Sequence, residues 1–314
     1  MSDQDVNINQ YSELRSICKC HIDSYNALYQ LKTEKEEDLN SIYEMIKKNL
    51  IETNISTPTK IIRNIFEIIP YNNRYTKSYL YLAKLIIDFY HIKEINDLYI
   101  ISKYLFYKEY GIKLDKSANF VEISTENLDI HTENPIYKAI MYDDKQSFIS
   151  FCNSNREEFN EYQTLKSKLY PISNKRYSDD GYSLLELCCY HGAIDCFNFL
   201  RTEYRQDITE TCLELSFLGR NPAIMSECLK YQKPNEKCMR NAIISHNIDF
   251  VTFLMNEYNI EIDLSYCGWC HNLEAFLVYF DQTKDFYKSI VYSSGFNIPN
   301  LPKYIIQISK NQNK

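Results

Sequence analysis

The chain has 314 residues, 45% of them apolar, and a formal net charge of −7. That apolar share can build a core, and the length fits roughly two domains. The acidic balance leaves no basic surplus for neutralising phosphates along a nucleic acid, although a local basic cluster is compatible with it.

The first residues, Met1 to Cys20, carry Asp3, Asp5 and Glu13 and no apolar run of signal-peptide length. Nothing there marks the chain for export, so a cytoplasmic location is expected. The most apolar window, Ser78 to Tyr90, is interrupted by Lys84 and Asp88. It falls far short of the roughly 20 apolar residues of a membrane span, and none is expected. Eleven scattered cysteines in a chain of this length read as reduced, buried thiols rather than a disulfide framework. The six glycines form neither a GxGxxG nor a P-loop.

Residues 1–114 read as an N-terminal helical domain. Ile42, Met45, Ile46 and Leu50 share one face at helical spacing, as do Tyr79, Leu82, Ile86 and Phe89. Thr57 before Pro58 gives a capping residue followed by a first-turn proline, and the apolar side from Ile61 to Ile69 ends at Pro70. A further helix is expected from about Ile95 to Tyr110, closed by Gly111. Tyr99, Tyr104, Phe106 and Tyr107 read as core and half-buried surface of packed helices, not as a stacking platform for bases. Residues 115–133 are polar and weakly periodic, a connector.

Residues 134–314 repeat themselves. Gly192-Ala-Ile-Asp-Cys-Phe-Asn-Phe-Leu200 aligns with His246-Asn-Ile-Asp-Phe-Val-Thr-Phe-Leu254, and related segments begin at Arg220, His271 and Asn297. Ala139 to Ile149 supplies an earlier copy, ahead of an irregular insertion at about 153–180. The period of about 25–28 residues predicts helix pairs, each with a small residue at the centre of its first helix: Ala139, Cys188, Ser216, Ala242 and Cys267. Asp195, Asp249 and Glu274 recur in register and are expected to cap or orient the second helices. The fold class is therefore all-α, with stacked helix pairs after a helical N-terminal domain.

The unit Asp180 to Leu200 resembles an ankyrin repeat: Gly181 and Ser183 match its opening, Leu185 its T-P-L-H leucine, Cys188 and Cys189 its paired alanines, and Gly192 its inter-helix glycine. The short period leaves no room for the β-hairpin finger. Taken whole, from Tyr25 to Lys32 through Pro70 to Lys77 and on to Tyr266, the chain resembles a family of ankyrin-like proteins of unknown function expanded in parasitic protists. The resemblance implies an ankyrin-like solenoid whose concave face receives a protein partner. In such stacks the last turn of each inner helix faces that side, which singles out Tyr142, Tyr190, His191, Ile244 and Trp269 as binding residues.

Three other chemistries need weighing. Cys267-Gly-Trp-Cys-His271 satisfies both a CxxC redox pattern and the CxxCH haem-attachment pattern, but it lacks an export context and a βαβ unit. By repeat register Cys267 is a packing residue. Cys18-Lys-Cys20-His21 and Cys188-Cys189-Tyr-His191 could each supply zinc ligands, yet neither is followed by a second pair at finger-like spacing. Six histidines in no HxxxH arrangement suggest no hydrolase. The expectation is a non-enzymatic interaction module that holds no cofactor or metal and binds a protein on the concave face; a purely structural or self-associating helical module is the alternative, and a thiol-redox or haem protein the remotest.

Overall fold

A computed structural model describes residues 14–120, 128, 134–154, 159–171 and 181–312. Most of the expected connector, parts of the expected insertion and the Asp180 opening of the repeat motif lie outside the described residues. The regular structure of the described chain is almost entirely helical, and among its helices none is long and apolar enough to cross a membrane.

The first part comprises α1 (Lys19–Tyr29), α2 (Glu36–Ile46) with a π-helical continuation at Lys47–Ile51, α3 (Pro58–Ile68), α4 (Thr76–Phe89) and α5 (Ile100–Tyr110). Thr57 caps α3 as expected, its hydroxyl accepting from the Lys60 N–H at 3.3 Å. Gly111 ends α5 in the left-handed conformation, also as expected. That helix starts at Ile100, not near Ile95, because the Ile95 N–H is engaged outside any helix, donating to the Leu114 carbonyl at 2.7 Å. α1 packs on α2 and α3, and α4 on α2, α3 and α5.

The second part runs as pairs: α6 (Pro135–Tyr142) with α7 (Lys145–Ser154), α8 (Leu184–His191) with α9 (Ile194–Glu203), α10 (Glu210–Gly219) with α11 (Pro222–Leu229), α12 (Glu236–Ile244) with α13 (Ile248–Tyr258), α14 (Leu264–Trp269) with α15 (Leu273–Thr283), and α16 (Phe286–Ser293) with α17 (Leu301–Gln312). The first helices contact one another in the order α6, α8, α10, α12, α14, α16. Two-residue strands β1 (Thr164–Leu165) and β2 (Tyr182–Ser183) pair antiparallel. The insertion is thus not wholly irregular: it contributes a strand that seats the start of α8, which Ser183 and Glu186 close as a capping box.

One backbone feature carries the repeat. At the turn between the two helices of successive pairs the chain turns left-handed, at Gly192, Arg220, His246 and His271, and again at Asn297 after the last first helix, with spacings of 28, 26, 25 and 26 residues. Asn221, Asn247 and Asn272 follow at once, and their side chains accept the free N–H groups of α11, α13 and α15. Asp195, Asp249 and Glu274 lie in the first turns, favourably placed toward the helix dipole, but do not cap. For α9 the cap comes from the preceding pair: the Asp143 carboxylate accepts from the Asp195 and Cys196 N–H groups, each at 3.0 Å.

The small central residues are all buried, Cys188, Ala242 and Cys267 completely. Buried apolar side chains form one continuous cluster from Leu14 to Ile305, so the two parts share a core.

Candidate interaction surface and the seam beside it

Positions 141–142, 190–191, 244–245 and 269–270 end the first helices, and the N-terminal helices reach that side. α1 buries His21, Ile22, Tyr25, Leu28 and Tyr29, an apolar and aromatic stripe at helical spacing. The Tyr25 ring stacks on His271 with centroids 4.3 Å apart, and the Tyr29 ring on His246 at 4.2 Å. The Asn64 amide donates to Tyr25 Oη at 3.0 Å and to His271 Nε2 at 2.9 Å. His246 places Nε2 3.0 Å from the Cys270 carbonyl oxygen and Nδ1 2.7 Å from Asn26 Oδ1, two acceptors of which a neutral imidazole, with its single N–H, donates to one. Gln30 donates to the His246 carbonyl, Arg220 Nη2 to the Tyr29 carbonyl, and Arg15 pairs with Glu274.

Three of the residues in this seam, Arg220, His246 and His271, are the left-handed turn residues themselves. A non-glycine side chain there costs about 1 kcal/mol of backbone strain, which contacts to the N-terminal part offset. Burial lowers the imidazole pKa of His21, His246 and His271 to about 3, so all three are neutral at pH 7; for His21 the other two histidines add to the effect.

The five residues expected to bind a partner therefore have different fates. Ile244 is 3% exposed. Tyr190 is buried and ties down the N-terminal part, its hydroxyl donating to the Pro70 carbonyl at 2.8 Å and accepting from the Asn73 N–H at 3.1 Å. His191 is half-buried, its Nε2 lying 2.9 Å from Tyr170 Oη. Tyr142 is 44% exposed with the Arg74 guanidinium 4.7 Å over its ring, and Trp269 is 43% exposed.

Trp269 keeps that exposure inside an aromatic group. Its indole meets Tyr71 and Tyr266 edge-on, each at 5.8 Å between centroids. Arg240 lies 5.0 Å from the Tyr266 ring and is held by Asp263 at 3.3 Å, the residue that caps α14. The Tyr71 phenol is pushed up to about 12 by burial and then by neighbours that include Tyr266, Cys270, Tyr99 and Glu67. Tyr99 itself is strongly exposed. Tyr71 was not visible as a member because it lies 198 residues before Trp269, on the other part of the chain; of the aromatics expected to be core and half-buried surface, Phe106 is fully buried but Tyr99 and Tyr107 are exposed.

Both thiols of the CxxCH segment lie inside the fold. Cys267 and Cys270 are fully buried, and burial pushes Cys270 up to about 12 and Cys267 well above its ordinary value, so the thiolate that exchange reactions use is disfavoured. Cys270 Sγ donates to the Tyr266 carbonyl at 2.8 Å. Among the described residues no three His, Cys, Asp or Glu side chains converge as metal ligands. Of the eleven thiols Cys20 alone is exposed. Titration of the native protein with a disulfide reagent is expected to modify one thiol per chain rapidly; fast reaction at Cys267 or Cys270 would reopen the redox reading.

Residues 204–279 match a domain of unknown function (DUF3447). No curated protein and no solved structure matches the chain.

Proposed function

We propose that this chain is a non-enzymatic interaction module of the cytoplasm, in which residues from 134 onward form an ankyrin-like stack of helix pairs and the aromatic group around Trp269 receives a protein partner. The stack is supported by the ordered contacts of first helices and by the regular left-handed turns, and the matched domain commonly accompanies ankyrin repeats. The observation that carries the binding reading is the exposure of Trp269 between Tyr71 and Tyr266, when the neighbouring positions Tyr190 and Ile244 are sealed by the chain itself. Trp and Tyr are the side chains that most often dominate protein interfaces.

Affinity capture from the native cell, comparing the wild type with Trp269→Ala after circular dichroism has shown equal folding, is expected to lose one specific protein and less than about 1 kcal/mol of stability. A self-associating module is the second reading, favoured by the exposure of Tyr287, Val291 and Tyr292 on α16. Identical captures with both proteins, together with sedimentation at twice the 37.4 kDa of one chain, would give that reading precedence.

A further inference from the structure

Between the Asn72–Tyr75 segment and the turns that end α8 and α10 lies a cavity of about 370 Å³. Lys32, Arg74 and Arg220 line it, and no aspartate or glutamate does, in a chain whose net charge is −7. Among the described residues no carboxylate pairs with any of the three.

Their hydrogen bonds are incomplete as well. Arg220 spends Nη2 on the Tyr29 carbonyl, but its Nε is closed off from solvent with no acceptor, and so is the Nε of Arg74. Burial lowers the pKa of Arg220, and burial together with Arg220 lowers that of Lys32, the behaviour of like charges gathered without a counter-ion. Asn73 is 4% exposed; its Nδ2 donates to the Leu169 carbonyl at 2.8 Å while Oδ1 is buried without a donor.

A buried cation without an anion is costly, and the fold holds Arg220 there in spite of its strained backbone. Guanidinium groups match phosphoryl oxygens with paired N–H donors, and three cations suit a dianion better than a single carboxylate. The volume exceeds by many times the roughly 30 Å³ that one water takes, so an organic body fits with the anionic head, against the walls supplied by Tyr71 and Tyr75. The geometry points to a binding site for a small phosphate monoester, its phosphoryl group held by Lys32, Arg74 and Arg220.

The test is titration calorimetry and thermal unfolding of the full chain with phenyl phosphate and with inorganic phosphate, against sodium chloride at equal ionic strength. Both phosphates are expected to bind and to raise the melting temperature where chloride does not, phenyl phosphate the more tightly. Arg74→Gln and Lys32→Gln, chosen because neither side chain hydrogen-bonds across the seam as Arg220 does, are expected to weaken binding about tenfold each; Lys32→Gln leaves melting in chloride unchanged, whereas Arg74→Gln also gives up its ring contact with Tyr142. Equal affinity in wild type and both variants, or no stabilisation beyond chloride, would overturn the assignment. Binding of inorganic phosphate alone would keep the anion site and remove the organic part.

Discussion

Lowering the pH from 7 to 5 will cost the folded chain about 6 kcal/mol. His21, His246 and His271 are neutral in the fold, with pKa values lowered to about 3, whereas in the unfolded chain they titrate near 6.5. The unfolded state therefore binds more protons wherever the pH lies between those values, and stability falls as the pH falls through 6.5. Each group contributes about 1.4 kcal/mol per unit below that point, or about 2 kcal/mol at pH 5. Burial pushes Glu67 the other way, above its ordinary value, but it is one half-buried group against three sealed ones. A total of that size rivals the whole stability of an ordinary domain, so the transition should come near pH 5. Urea unfolding at pH 7, 6 and 5 measures it; a change under about 1 kcal/mol would show that the seam admits protons.

Gly219→Ala should cost about 3 kcal/mol or more. Gly219 ends α10 against α8, where a Cβ would fall far inside van der Waals contact distance of the Cys189 carbonyl oxygen and 2.8 Å from the Gly192 nitrogen. Both obstacles are backbone, so the two helices must separate, and with them the packing of Cys189, Cys212 and Leu218. Gly268→Ala is the matched control: the nearest atom to its Cβ is the Gly295 Cα at 3.9 Å, an ordinary contact. Chemical unfolding of both variants should separate them by at least about 2 kcal/mol; equal costs would mean that α8 and α10 have room to move.

The difference between these two glycines shows what the sequence can and cannot disclose. The repeat register was legible, because copies aligned at Gly192, Arg220, His246, His271 and Asn297 begin at the residues that turn left-handed. A turn is local, and its side chains recur with it. Gly219 was not singled out, because it is needed for the approach of another helix and not for its own backbone conformation. The seam was equally hidden. Nothing in the stripe of α1 says that Tyr25 and Tyr29 stack on imidazoles more than 200 residues away. The properties that mark Tyr190 as an interface anchor, a broad apolar ring with a polar tip, serve as well to hold a segment of the same chain. Local pattern thus identifies an anchor without identifying what it anchors. At Trp269 the surrounding aromatics come from both parts, and only the folded chain brings them together.

The seam also imposes an order on how the molecule is made. Asn26 meets its partner His246 across 220 residues of sequence. At about 5–20 residues per second, a ribosome delivers His246 between roughly ten and forty seconds after Asn26. For that interval α1 is made but has nothing to stack on, so Tyr25 and Tyr29 must wait, exposed or held by a chaperone, until the later helix pairs emerge. A chain interrupted before α14 would lack His271 altogether and leave Tyr25 bare, which makes the first helix a marker of whether synthesis ran far enough.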